Sequence, residues 1–219
     1  YTIMDPSYTF SVSPRQTAAG IADMMSHTFE LYFNRTTHLV MSNHMCEAIL
    51  KTCIECGPIA LSSPSDYNAR AELLWASAWA INGFLRCGRL GAWSCHPMEH
   101  PLSAWYDITH GVGLAILTPR WMRYILKKDS NTVSAFAAYA TNVWEADKAL
   151  PEDERALLGI QYTEKFFYQT LGLPSRLSIL GIDNAHFEAM AATAVKEGLV
   201  NAYVPLNQDD VVQIYQASL

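Results

Sequence analysis

Apolar residues return every three or four positions along most of the chain, the repeat that lines one face of an α-helix. Val133, Phe136, Tyr139 and Val143 show it plainly. Boundaries can be read beside these faces. Ser13, Pro14 and Gln16 fit as N-cap, first helical residue and closing member of a capping box, opening a helix that runs to about Phe33. Ser42 caps a second helix directed toward Gly57-Pro58, where proline is expected to kink or end it. Asp66 begins a third, carrying Leu74, Trp75, Trp79 and Phe84 to about Arg86, and Gly88 and Gly91 then loosen the chain. A short helix is predicted over 96–106 and another from Thr109 to about Leu126, kinked at Pro119. Ser130 or Asn131 precedes the next, and Pro151 starts one that carries Leu157, Tyr162, Phe166 and Phe167 to Gly172. Asp183 and Asn184 offer caps for an Ala-rich helix ending at Gly198, and Asp209 begins the last. Residues 1–12, with Tyr, Ile, Phe and Val alternating around Asp5-Pro6, read as short extended pieces with a turn. The prediction is an all-α domain of about eight to ten helices, without internal repeats.

Composition narrows the function classes. The 219 residues, 50% hydrophobic and 16% charged, suffice for one sizeable core. A net charge of −6 leaves no electrostatic footprint for nucleic acid or an anionic membrane surface, so neither is an expected partner. Five cysteines, an odd number in a chain too long to depend on disulfides, point to a reducing compartment, and the cytoplasm is the expected location. No apolar run approaches about 18 residues, and the start from Tyr1 to Pro6 shows no signal-peptide pattern. It also shows no initiator Met, which suits a processed product or a piece of something longer.

Chemistry is concentrated at two places. His96, His100 and His110, three of the seven histidines, fall within fifteen residues among prolines and glycines. Neutral imidazole is a common ligand for zinc and suits ferrous iron, so two or three of these nitrogens can form most of a coordination shell. Upstream, Asp23 and His27 are four residues apart in a helical run and share one face. They sit among Ala, Ile, Met and Phe, where an uncompensated polar group costs on the order of 1–3 kcal/mol. Coordination of a shared ion would offset that cost.

Asp23-x-x-x-His27 followed by His96-x-x-x-His100-x9-His110-Gly111 resembles the metal-binding pattern of the iron-containing (group III) alcohol dehydrogenases, and the flanking residues resemble the butanol dehydrogenase and broad-range aldehyde reductase branch. The resemblance spans nearly the whole chain. It implies the helical C-terminal domain of the dehydroquinate synthase-like fold, with residues 13–219 as the metal-binding domain and 1–12 as a connector from an N-terminal α/β cofactor domain. It assigns Asp23, His27, His96 and His110 to one divalent ion, Fe2+ or Zn2+, and places His100 outside that set, catalytic and near the nicotinamide. The implied reaction moves a hydride between NAD(P)H and a short-chain aldehyde or primary alcohol, in a homodimer. Without its cofactor half, the chain alone is expected to be inactive.

Other motifs read as structure. Gly111-Val-Gly113 has no third glycine and no preceding strand, so close helix packing is preferred to a dinucleotide turn. Cys53-x-x-Cys56 lacks a second pair and reads as buried thiols, Cys95 as a neighbour of His96 rather than a ligand, and His38, His44 and His186 as structural or solvent-facing. Two rival functions are a noncatalytic helical metal-binding module and a metal-dependent hydrolase. The second is disfavoured by the absence of adjacent His-Asp, HExxH and paired Glu-x-x-His signatures.

Overall fold

Ser13 caps the first helix by accepting from the Gln16 amide at 3.3 Å, although the return half of the expected capping box does not form. From there the computed structural model, which describes residues 1–219, is built of nine α-helices. These are α1 (Pro14–Tyr32), α2 (Val40–Ser62), α3 (Tyr67–Ile81), α4 (Cys95–Tyr106), α5 (His110–Lys128), α6 (Val133–Trp144), α7 (Glu152–Lys165), α8 (Phe187–Lys196) and α9 (Gln208–Ala217). The all-α expectation holds, since the extended pairing is limited to one isolated parallel bridge between Ala92 and Ala202. No helix is long and apolar enough to cross a membrane.

Several boundaries depart from the local signals. The first twelve residues contain a 3-10 turn at Pro6–Thr9, capped by the Asp5 side chain, in place of extended pieces. The second helix begins at Val40 without a side-chain cap, so Ser42 lies inside it, and it continues through Pro58. The third stops at Ile81, because Gly83 turns into the left-handed region before a 3-10 turn at Phe84–Arg86. Asp66 does cap it as expected, accepting from Ala69.

Pro119 neither ends nor divides α5. A helical proline removes the donor for the carbonyl four residues earlier, and here the Tyr168 hydroxyl donates to that Ala115 carbonyl at 3.0 Å. Tyr168 lies on a π-helical turn, Phe166–Thr170, that closes the seventh helix before Gly172 takes a positive φ. Burial also supports α5 through its proline: it packs on α1, α4, α7 and α9, and Leu114, Ile116, Leu117, Met122 and Ile125 are fully enclosed. Around its far end Trp121, Phe33, Phe136 and Tyr139 form an aromatic core.

The last helix starts one residue before the expected Asp209, with Asn207 and Asp210 forming a reciprocal capping box. Asp210 also accepts from the Tyr124 hydroxyl at 2.7 Å and pairs with Lys128, which ties α9 to α5. Burial opposes its charge, but the Lys128 bond, the Asn207 amide and Tyr124 outweigh it and lower its pKa. Asp210→Ala is expected to cost about 1–3 kcal/mol near neutral pH. A depressed pKa gives stability that is present above the ordinary Asp value and lost as pH falls through the folded one. Urea titrations should therefore show the gap between variant and parent closing on acidification, and a gap unchanged to pH 2 would contradict the charge assignment.

Candidate metal centre

Three helices, α1, α4 and α5, bring Asp23, His27, His96 and His110 together. The α1 repeat turns Asp23 and His27 to the same side, and Asp23 Oδ1 lies 3.5 Å from His27 Nε2. The first turn of α4 supplies His96, whose Nε2 is 3.8 Å from the same oxygen, and the first residue of α5 supplies His110, with its Nε2 at 3.7 Å. Ligand atoms of Asp23, His27 and His96 all lie within 4.8 Å of one another, and His110 joins through Asp23, its ring 5.3 Å from that of His96.

A tetrahedral ion with bonds of about 2.0–2.1 Å holds its ligand atoms roughly 3.3–3.4 Å apart, so the three distances to Asp23 Oδ1 need to close by only a few tenths of an ångström. Asp23 Oδ1 and His96 Nε2 are also buried without any hydrogen-bond partner. Two such orphans facing one point are what a cation would satisfy. The residues fit a divalent metal.

The surrounding groups prepare the imidazoles for that role. Glu30 accepts from His96 Nδ1 at 3.2 Å, and Glu99 pairs with His110 Nδ1. An ionised carboxylate can only accept, so in the neutral imidazoles these pairings favour the proton on Nδ1 and leave Nε2 facing the cluster. Glu30 has a second task. It receives the amides of Ser94, Cys95 and His96 at 2.7, 2.7 and 3.0 Å, capping α4 from α1 where α4 has no cap of its own. Trp93 packs against the rings of His27 and His96, with centroids 5.1 and 4.5 Å away, and seals the back of the cluster.

Charge follows the same logic. Burial, with the nearby His96, lowers the pKa of His27 and keeps it neutral. Burial also works against a charged His96, but the neighbouring carboxylates of Asp23 and Glu30 outweigh it and bring that pKa up to about 9. Asp23 is lowered: burial raises it, and His96 with the neighbouring imidazoles more than compensates. A pocket that draws a proton onto His96 draws a divalent cation for the same electrostatic reason.

His100 lies apart from these four side chains. Its ring stacks on His110 at 5.8 Å, it is half exposed, and its Nδ1 bonds Glu197 Oε2 at 2.9 Å. The centre is thus closed behind by Trp93 and open on the side of Asp23, His110 and His100. A groove of about 300 Å³, lined by Thr9, Gly20, Met24 and Leu74 among others, runs beside Asp23.

Gly111 and Gly113 are packing glycines. A Cβ on Gly111 would stand 2.1 Å from the Ala19 carbonyl oxygen, and one on Gly113 would stand 2.5 Å from Glu99 Oε1. Cys53 is fully buried, which pushes its pKa to about 12, and Cys95 is buried and raised by its enclosure. Neither belongs to the cluster. His38 and His44 are exposed, and His186 stacks on Trp105 at 4.0 Å, away from the cluster. Glu30, Glu99, Trp93 and Glu197 were not legible as site residues. A trace exists for two of them, since Glu30 and Glu99 follow His27 and His96 by three positions each.

Residues 17–219 match the sequence model described as Fe-containing alcohol dehydrogenase family, C-terminal. NADH-dependent butanol dehydrogenase B of Clostridium acetobutylicum is 50% identical over all of this chain and 56% of its own length. The NADPH-dependent aldehyde reductase YqhD of Escherichia coli is 34% identical over 91% of the chain and 50% of its own. A substrate- and cofactor-free structure of that reductase superposes with a TM-score of 0.87 at 32% identity, covering 98% of this chain and 56% of the other. NADH-dependent butanol dehydrogenase A of Thermotoga maritima superposes with a TM-score of 0.87 at 31% identity, over 98% and 55%. The chain therefore spans about half the length of the curated relatives it matches. By helical fold and by sequence over residues 17–219, this chain belongs to the Fe-containing alcohol dehydrogenase family, matching its C-terminal part.

Proposed function

We propose that the protein is a metal-dependent alcohol dehydrogenase or aldehyde reductase that exchanges a hydride between NAD(P)H and a short-chain alcohol or aldehyde, and that this chain supplies the metal-binding half. The observation that carries the reading is the position of Asp23 Oδ1, 3.5–3.8 Å from three imidazole nitrogens with one side of the cluster open. An ion that only stiffened the fold would sit in a closed cage, whereas a reacting oxygen needs an open coordination position. The names of the butanol dehydrogenase and aldehyde reductase relatives support the same substrate class.

In this reading Asp23, His27, His96 and His110 hold one divalent ion, which supplies a Lewis acid for the alcohol or carbonyl oxygen. The protein residues do the rest. Glu30 and Glu99 keep the imidazoles aligned, and Trp93 keeps water from the back of the site. Gly20, Met24 and Leu74 give a small alkyl chain a wall beside Asp23. Glu197 accepts from His100 Nδ1, so His100 Nε2 faces the open side as a base. It takes up or returns the proton that the product or substrate oxygen exchanges. Residues 13–219 form the metal-binding domain, 1–12 lead from an α/β half, and that half brings the nicotinamide. Zinc generally outcompetes ferrous iron at such nitrogen and oxygen ligands, and cellular supply decides between them.

Metal-loaded protein that includes the cofactor half is expected to consume NADH or NADPH when butyraldehyde is added, while the 219-residue chain alone gives only background. Failure of the larger protein to oxidise either cofactor would overturn the assignment. His100→Ala should lower turnover by roughly 10²–10⁴-fold, the range for a proton-transfer group, with metal content retained. If that variant lost its metal, His100 would belong among the ligands.

A further inference from the structure

Glu99 is a carboxylate with none of its surface exposed and no lysine or arginine beside it. Its two oxygens are fully used: Oε1 accepts from the Ser103 hydroxyl at 2.6 Å, and Oε2 pairs with His110 Nδ1. Burying a charge in this way is costly unless something is gained from it. Glu30 has an evident structural gain, because it caps the three leading amides of α4. Glu99 has no such backbone role. Its space is nevertheless protected, since any side chain at Gly113 would press a Cβ to 2.5 Å from its Oε1 and 2.7 Å from its Cγ. The sequence around it thus carries a buried charge, a hydroxyl to satisfy one oxygen and a glycine to make room for both. All of this converges on one nitrogen of His110.

We propose that Glu99 is the positioning residue for His110, holding the proton on Nδ1 and the ring in the orientation that turns Nε2 toward Asp23. The proposal rests on the metal-centre reading above and names the group that makes the most exposed imidazole of the set a competent ligand. His110 needs this more than its companions do. His27 and His96 are enclosed by packing against Trp93, while His110 sits at the start of its helix on the open side, where a free imidazole would rotate and change tautomer. The negative charge of Glu99 also makes Nε2 a stronger electron-pair donor. Ser103 serves the same arrangement at one remove, by fixing the second carboxylate oxygen.

The test compares the parent protein with Glu99→Gln, which keeps an acceptor but removes the charge, and Glu99→Leu, which keeps the bulk and removes both. Cobalt(II) is titrated by its visible absorption, and the imidazole nitrogens of the metal-free protein are followed by 15N NMR, with His110→Ala identifying the His110 signals. Leucine is expected to weaken cobalt binding roughly 10–100-fold, as loss of such outer partners typically does. Glutamine, which keeps the acceptor and loses the charge, should recover only part of that loss. The His110 signals should report one tautomer, protonated at Nδ1, in the parent and the Gln variant, and a mixture in the Leu variant. Parent-like cobalt affinity together with a single tautomer in Glu99→Leu would overturn the proposal. If that variant does not fold, Glu99→Gln decides alone: a shifted cobalt band with weaker binding supports the role, and an unchanged band and affinity refute it. A parent that takes up no cobalt at all would defeat the metal-centre reading instead, and the tautomer measurement would still judge Glu99.

Discussion

His96→Ala or His110→Ala is expected to weaken metal binding roughly a hundredfold and to leave purified protein nearly metal-free. Small zinc domains gain about 10–16 kcal/mol from a complete ligand set, so one ligand of four carries around 3 kcal/mol, about two powers of ten in affinity. His27→Ala and Asp23→Ala should fall in the same range, because Asp23 Oδ1 is the atom that all three imidazoles approach within 3.8 Å. Stripping the metal from the parent should also lower the melting temperature. Asp23 Oδ1 and His96 Nε2 are buried without another partner, and leaving two such groups unpaired costs about 1–3 kcal/mol each. In a chain of this size that is on the order of 10 °C. Elemental analysis and chelator competition measure the first effect, and calorimetry the second. Full occupancy in both the His96 and His110 variants would sink the ligand assignment.

The second large effect is expected from Gly111→Ala, which should destabilise the fold by 3 kcal/mol or more, roughly the upper end for overpacking, and weaken metal binding with it. Intrinsic propensity argues the opposite way, since alanine exceeds glycine inside a helix by about 1 kcal/mol. Geometry decides. The new Cβ would meet the Ala19 carbonyl oxygen at 2.1 Å and its carbon at 2.7 Å, and a backbone atom inside a helix cannot step aside as a side-chain tip can. Helices α1 and α5 would have to separate where they touch. Ala19 lies one turn before Asp23, and Gly111 directly follows His110, so the same separation pulls a carboxylate and an imidazole apart. Denaturant unfolding and cobalt titration should show both losses together. A variant more stable than its parent would mean that propensity had won and that the two helices do not meet this closely.

Much of this was legible in the chain before any fold was known, and for a definite reason. Helical periodicity is local, so the repeats through Val133–Val143 and the α1 run announced helices, and Ser13 and Asp66 announced where two of them start. The Asp23–His27 pair was readable because four residues make one turn, and His96, His100 and His110 because they are crowded in sequence. The spacing of Gly111 and Gly113 suggests close packing, but not that Ala19 and Glu99 are the groups packed against them. Tertiary structure alone decided what crosses between helices. Pro58 carries a local signal to kink or end its helix and Pro119 one to kink, yet both helices continue, and the Tyr168 hydroxyl, 53 residues from Ala115, satisfies the carbonyl that Pro119 orphans. Glu30 reaches α4 from α1, Trp93 covers two imidazoles from a loop, and Glu197 meets His100 across 97 residues. No spacing rule encodes those meetings. Side-chain type and local pitch determined which groups were available as ligands, while the packing of α1, α4 and α5 against one another determined which nitrogens share Asp23 and which carboxylates hold them there.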